Sequence, residues 1–259
     1  MAKHWRQTEP VRVYLCGPVT IESAGQVVCD GAVAGPQGRL LFAFLMSRTP
    51  HPSSKADLIR ALWDEAPPPS AETALNAIIS KLRRVLKQVG VAPPYGISND
   101  VGTYRCAIPF AWLDIQTART AVDRAEGALR AGELPTAWSH ANVAATITRR
   151  PFLPEESRSW VQAQREMLTR VWRRATLVLS DVSTKREEFE LGIHHASEVL
   201  AAEPFDEVAC QMLMRAHAAA GNRAEALRVY SKCRKLFRDE LGSEPSEKTA
   251  AVFLDILRA

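Results

Sequence analysis

Two sixteen-residue stretches of this chain align without a gap, GELPTAWSHANVAATI from Gly132 and GNRAEALRVYSKCRKL from Gly221. Each opens on Gly and has Ala five residues on (Ala137, Ala226), followed by Ala141 against Tyr230 and Ala144 against Cys233. GIHHASEVLAAEP supplies a third copy, with Gly192 standing 34 residues before Ala226 and Pro204 closing it. A small residue where two helices cross, a bulkier one a turn later and a proline after the helix specify a helical hairpin. One hairpin cannot bury its apolar face alone, so such units stack into an array with a concave side. From Trp112 onward strand signals vanish and every segment is rich in Ala, Leu, Glu and Arg, which predicts an all-helical second part.

The first hundred residues follow other periods. VRVYLCGPVTIESAGQVVCDG alternates, with Ala24-Gly25 between two runs predicted to pair antiparallel and Gly17-Pro18 turning before them. After Pro36, Leu40, Leu41, Phe44 and Leu45 recur at helical spacing, and this helix ends before Pro50. In PSSKADLIRALW, Ser54 and Asp57 form a capping box, and Leu58, Ile59, Leu62 and Trp63 make the buried stripe of a second helix. Pro67, Pro68 and Pro69 break the chain, and Ser70 is placed to cap a third helix. GVAPPYGISNDVGTYRCAIPF then reads as a hairpin, with Asn99-Asp100-Val101-Gly102 as its loop and Tyr104 to Ile108 as the returning strand.

That third helix, SAETALNAIISKLRRVLKQ, has two unlike faces. Leu75, Ile78, Ile79, Leu82 and Leu86 gather on one side and require a core. Thr73, Ala77, Ser80, Lys81, Arg84 and Lys87 lie opposite, flanked by Asn76 and Arg83. A helix of this length fits the DNA major groove, where base edges present distinct donor and acceptor patterns. Short residues allow close approach, here Thr73, Asn76, Ala77 and Ser80, and longer cations reach guanine edges or phosphates, here Lys81, Arg84 and Lys87. Asn99, Thr103 and Arg105 on the hairpin are placed to touch the neighbouring backbone or minor groove.

Composition supports this without dictating it. At 259 residues, 46% apolar and 24% charged, the chain is long enough for two globular domains. Net charge is +4, and all of it belongs to residues 1–110, which hold 12 Lys/Arg against 8 Asp/Glu, whereas residues 111–259 hold 21 of each. A local basic face on a balanced protein is the footprint of a phosphate-docking site, although a solvated helix face explains it about as often. The five cysteines are scattered and form no CxxC pair, which fits reduced thiols in a cytoplasm. No apolar run reaches membrane-spanning length, and MAKHWRQTEP lacks a secretory core.

The segment LFAFLMSRTPHPSSKADLIRALWDEAPPPSAETALNAIISKLRRVL, followed by GTYR, resembles the OmpR-like winged helix, in the version found in the Streptomyces antibiotic regulatory proteins (the SARP family). Thr103, between Gly102 and Tyr104, departs from that family's Gly-Tyr-Arg-Leu. LDIQTARTAVDRA, RPFLPEESRSWVQAQREML, EPFDEVACQMLMRAHAAAGNRAEALRVYSKCRKLFRDELGSEPS and AVFLDIL are similar to its bacterial transcriptional activation domain. The resemblance covers residues 11–258. It implies a mostly α protein with a small α+β N-terminal part: an OmpR-like winged helix-turn-helix over residues 10–110, then an all-α, tetratricopeptide-like array over 111–259. It implies that the helix over 71–88 enters the major groove, with Thr73, Asn76, Ala77, Ser80, Lys81 and Arg84 reading bases and Arg83, Lys87, Asn99, Thr103, Tyr104 and Arg105 on phosphates or in the wing. Asp64, Glu65, Pro67, Pro68 and Pro69 fall on the loop that in this family meets RNA polymerase. The implied partners are double-stranded DNA as direct repeats near the −35 region, RNA polymerase holoenzyme and a second protomer, at least on DNA. No enzyme activity, cofactor, metal or membrane is expected. With no GxxxxGK[ST] and no receiver domain, control by ATP or aspartyl phosphorylation within this chain is not expected either.

The same residues admit rival readings. His194, His195 and His217 are read as surface or packing histidines, with no acidic partner at i+4 spacing in a known motif. Cys210 and Cys233 are read as small core residues rather than a redox switch. Arg149, Arg150, Arg173 and Arg174 are read as a solvated face paired with Glu155, Glu156 and Glu166 rather than more DNA surface. The tryptophans are read as core or interface anchors on helix faces. The alternatives to an activator are a peptide-binding scaffold that uses the concave array, or a repressor using the same DNA contacts.

Overall fold

The computed structural model describes residues 10–91 and 93–258, so the stretch from Met1 to Glu9, including the expected non-secretory N-terminus and Trp5, lies outside it. The chain divides into two compact units, one of the described residues up to Thr117 with Arg150–Leu168, the other of Ala118–Arg149 with Thr169 onward. Among the described residues no helix is long and apolar enough to cross a membrane.

The first unit opens with β1 (Arg12–Tyr14), β2 (Thr20–Ser23) and β3 (Gln26–Cys29), in which the hairpin expected at Ala24-Gly25 pairs Thr20 with Cys29 and Ser23 with Gln26. Helix α1 (Gly35–Arg48) is buried on every side from Leu40 to Met46, more than the expected stripe, so it runs through the core. Two-residue β4 (Ser53–Ser54) leads into α2 (Lys55–Trp63), whose capping box is formed as predicted. The Ser54 hydroxyl accepts from the Asp57 N–H at 3.1 Å, and the Asp57 carboxylate accepts from the Ser54 N–H at 2.9 Å. Of the predicted α2 stripe, Leu58 and Leu62 are buried with Ala61, while Ile59 and Trp63 are only half-buried.

Helix α3 (Ala71–Gln88) carries the basic face. Ser70 holds its N-cap position, but its side chain makes no capping bond, because φ −92° and ψ 15° place the residue outside the extended geometry that aims the hydroxyl at the helix. Strands β5 (Gly96–Asp100) and β6 (Thr103–Ala107) form the expected hairpin, and Ser53-Ser54 adds an edge in the order β4-β6-β5. Its turn is tighter than the sequence suggested. Asn99 and Asp100 belong to β5 and pair with Tyr104 and Thr103, leaving only Val101 and Gly102 to turn. Both have positive φ, 46° and 79°, as a type I′ turn demands. Thr103, the departure from the family pattern, is thus an ordinary ladder residue.

Strand signals do not end quite where expected. Trp112–Leu113 form β7, which runs parallel to β1, so Trp112 sits on a strand and not a helix. Asp114, which starts α4 (Asp114–Arg130), is buried and locks this junction. One carboxylate oxygen accepts from the N–H groups of Leu15 and Cys16 at 2.8 Å each, and the other from Ile115 at 2.7 Å. The segment 150–168 also belongs to this unit. Trp160 donates its indole N–H to the Ala61 carbonyl at 3.1 Å and packs edge-on against Phe44, and Arg158 donates to the Leu62 carbonyl at 2.8 Å. These residues brace α2 from below, a role that local pattern does not reveal.

In the second unit, α4 packs with α5 (Leu134–Thr148) and the later part of α6 (Ser159–Lys185) through an alanine-rich seam that includes Ala125, Ala137, Ala141, Ala144, Ala175 and Val178. Helices α7 (Phe189–Ala202), α8 (Glu207–Ala219), α9 (Arg223–Leu241) and α10 (Glu247–Arg258) continue it, with Cys210, Met214, Ala226, Cys233 and Phe237 in one core cluster. The small repeat positions do what their spacing predicted: Ala137 and Ala226 are fully buried, and Gly192 is buried at the corresponding place in the third copy. Gly192 marks the tightest crossing, where an added Cβ would stand 2.4 Å from Thr184 Oγ1 and 3.2 Å from the Ser180 carbonyl. The cysteines at 210 and 233 are buried core residues, as expected. Half-buried Trp160 and Trp172 fit the reading as anchors, whereas Trp138 is 41% exposed.

Candidate nucleic-acid interface

The α3 sequence separates its faces cleanly. Ala71, Leu75, Ile78, Ile79, Leu82, Val85 and Leu86 are buried, and this apolar face fixes the helix on the core. Eighteen residues extend about 27 Å at 1.5 Å each, and a helix about 10–12 Å across matches the roughly 12 Å width of the major groove. Thr73, Asn76, Ala77, Ser80, Lys81, Arg84 and Lys87 are exposed on the outer face, as the period predicted. Among the described residues Lys81, Arg84 and Lys87 enter no ion pair, whereas the acid of this helix, Glu72, is taken by Lys55 of α2. That bond holds the Lys55 ammonium above its ordinary value and removes the main local competitor for the free cations. The Ser80 hydroxyl donates back to the Asn76 carbonyl at 2.9 Å, so its oxygen stands exposed one turn along the same face.

The hairpin is fastened beside this face by Arg83, whose Nε donates to the Ile97 carbonyl at 2.9 Å. Arg83, expected on a phosphate, is therefore at least partly a brace. Alternation along β6 puts Thr103 and Arg105 outward and Tyr104 and Cys106 inward. Tyr104 is 5% exposed, so it leaves the expected DNA-contacting set and joins the core, because alternation along β6 puts it on the same buried face as Cys106. Asn99 and Arg105 are exposed, as is Thr103, which donates to the Asp100 carbonyl at 2.7 Å. Sequence reasoning missed Val101, a β-branched residue at φ 46° and 98% exposed on the hairpin tip. The signal was its position before Gly102, where a two-residue turn ordinarily has Asn or Asp.

The loop from Asp64 to Ser70 is a separate exposed surface. Asp64 closes α2 at φ 51°, its N–H on the Arg60 carbonyl at 2.8 Å, and Asp64, Glu65, Pro67 and Pro69 are exposed with Pro68 half-buried.

Of the arginines expected on a paired, solvated face, Arg149, Arg173 and Arg174 are paired, with partners other than those expected. Arg149 meets Glu198, Arg173 meets Asp206 and Glu203, and Arg174 meets Asp123 and Glu126, while Glu155 and Glu156 lie on Arg39. His194 is exposed and His195 half-buried, and Glu198, four residues after the first and three after the second, approaches both.

An amphipathic helix with a free cationic arc, seated on two helices and flanked by a tight hairpin, defines a winged helix-turn-helix, here accompanied by a helical array. Residues 33–100 match the model described as "Transcriptional regulatory protein, C terminal", and residues 113–257 match "Bacterial transcriptional activator domain". The chain is 30% identical to the regulatory protein AfsR of Streptomyces coelicolor over 91% of its own length and 23% of that protein's. It is 27% identical to the transcriptional regulatory protein EmbR of Mycobacterium tuberculosis (strain H37Rv) over 94% of this chain and 62% of the relative. It therefore spans about a quarter of the AfsR proteins, whose Streptomyces griseus member is covered over 25%. A solved structure of Mycobacterium tuberculosis EmbR with a low-affinity phosphopeptide superposes with a TM-score of 0.88 at 23% identity, over 97% of this chain and 66% of that one. The chain belongs to the family of transcriptional regulators that carry the bacterial transcriptional activator domain, in its SARP branch with an OmpR-like DNA-binding domain.

Proposed function

We propose that this regulator is an activator that reads directly repeated half-sites near the promoter −35 region and recruits RNA polymerase. The observation that carries the reading is the arc of Asn76, Ser80, Lys81, Arg84 and Lys87, exposed and without ion pairs on a helix otherwise fixed to the core. In this reading Thr73, Asn76, Ala77, Ser80, Lys81 and Arg84 face base edges, and Lys87, Asn99, Thr103 and Arg105 hold the backbone. Residues 10–110 act as the DNA-binding domain and residues 111–259 as the activation domain. Direct repeats call for protomers side by side, head to tail, so self-association on DNA is part of the proposal. The exposed acidic and proline-bearing loop, Asp64 to Pro69, is the surface offered to polymerase. The protein works in the cytoplasm, as a regulator without catalytic chemistry or cofactor. A peptide-binding scaffold has no use for a free cationic arc beside a hairpin, which favours DNA.

The test is run-off transcription with footprinting on a promoter that the protein selects. Arg84→Ala should cost about 1–3 kcal/mol and relax specificity at one position. Lys87→Ala should weaken binding to all sequences alike and reduce the salt slope by about one unit. Replacing Asp64 and Glu65 with alanine should leave the footprint and remove the transcript. A footprint that lowers transcription instead identifies a repressor.

A further inference from the structure

Helix α7 brings together three side chains that have no part in DNA binding. His194 and Glu198 are one turn apart, and His195 lies between them in sequence and on the same side of the carboxylate. His194 Nε2 is 3.7 Å and His195 Nδ1 3.6 Å from the same oxygen, Glu198 Oε2. Those separations are too long for hydrogen bonds, and His195 Nδ1, although buried, has no hydrogen-bond partner. They suit two ligands on one metal: at bond lengths of about 2.0–2.2 Å, tetrahedral neighbours stand about 3.4 Å apart. The three ligand atoms lie within 4.8 Å of one another, and the side chain of His194, 60% exposed, is free to turn inward and close the triangle.

The carboxylate is already oriented. Arg149, at the end of α5, donates to Glu198 Oε1 at 3.2 Å and to Oε2 at 3.4 Å. The closer bond is to Oε1, so the guanidinium fixes the carboxylate plane while Oε2, which it meets at longer range, faces both histidines, as outer partners commonly orient a ligating carboxylate. A cleft of about 440 Å³, lined by Thr148, Arg149, Thr169, Trp172 and Glu198, opens beside the group and leaves room for solvent ligands. Two imidazoles and one carboxylate match a borderline d-block dication, Zn²⁺, Co²⁺ or Ni²⁺, and not Ca²⁺ or Mg²⁺, which ask for more oxygens.

We propose that His194, His195 and Glu198 form a d-block dication site on α7, with Arg149 positioning the carboxylate. The site uses residues of the helical unit alone and holds whether or not the DNA-binding proposal does.

The full chain, kept reduced with a phosphine, is titrated with Co²⁺ and then Zn²⁺. The site predicts a visible d–d band saturating at one Co²⁺ per chain, without thiolate-to-cobalt charge transfer, and lost on adding Zn²⁺. His194→Ala and Glu198→Gln, whose side chains reach solvent, should each weaken binding by at least about tenfold while the thermal melt shows a folded protein. No cobalt band, a band that survives in both variants, or a thiolate charge-transfer band would each overturn the assignment.

Discussion

Gly192→Ala isolates the packing of the helical unit, because two effects of known size oppose each other there. Replacing a glycine inside a helix by alanine favours the helix by about 1 kcal/mol. Against that, the new Cβ would stand 2.4 Å from Thr184 Oγ1, 3.2 Å from the Ser180 carbonyl and 3.3 Å from the Thr184 nitrogen. Thr184 cannot simply swing away, since its hydroxyl donates to the Ser180 carbonyl at 2.9 Å, a bond worth about 1 kcal/mol. Overpacking costs about 1–3 kcal/mol, and a 2.4 Å contact falls in the upper half of that range, so after the helix gain of about 1 kcal/mol the net effect is a loss of about 1–2 kcal/mol. At roughly 2–4 °C per kcal/mol in a unit of this size, the melting temperature falls by roughly 2–8 °C. Gly127 in α4 provides the internal control: a Cβ there meets nothing within 4 Å, so Gly127→Ala should stabilise by about 1 kcal/mol. Urea melts followed by circular dichroism decide the matter, and Thr184→Ala should recover part of the Gly192→Ala loss in a double-mutant cycle. If Gly192→Ala stabilises as Gly127→Ala does, α6 and α7 do not cross at Gly192 and the repeat reading is wrong.

Other substitutions test other parts. Asp114→Ala strands three buried N–H groups and should cost the winged-helix unit about 3 kcal/mol, read as a lower urea midpoint. Val101→Asn removes a β-branched residue from φ 46° and should stabilise the hairpin by about 1 kcal/mol, measured as slower amide exchange in β5 and β6. Asp206 and Glu207 give the helical unit an acid limit. Burial raises each, but Arg173 with the Val208 and Ala209 N–H groups outweighs it at Asp206, and Ser246 with Thr249 does so at Glu207, so both stay below their ordinary values of 3.8 and 4.5. A depressed carboxyl contributes stability that is complete above the ordinary value and lost as pH falls through the folded one. The melting temperature of this unit should therefore drop below about pH 4, and by less in Arg173→Met.

Local chemistry was legible and distant partnership was not. The Ser54–Asp57 capping box, the two faces of α3 and the small residues at 137, 192 and 226 depend on neighbours within a few turns, so spacing revealed them. The hairpin was visible, but Val101 concealed its turn, since valine is no turn former and the loop was drawn two residues too wide. Tyr104 turns inward with Cys106 because the core lies on that face of β6, and alternation alone does not say which of the two faces meets a core. Residues 150–168 look like any amphipathic helical stretch, and only their contacts with Ala61, Leu62 and Phe44 tie them to the winged helix. Glu198 lies four residues after His194, within reach on one helix, but its approach to both imidazoles depends on side-chain conformations that spacing does not determine.

The most direct test of the central claim is selection of bound fragments from random DNA, with the parent protein and with Lys81→Ala/Arg84→Ala, at two salt concentrations. The account predicts an enriched direct repeat for the parent, weaker at higher salt, and no enrichment for the double mutant. Equal enrichment by both proteins, or weak binding without any preferred sequence, would contradict reading of DNA by this face of α3.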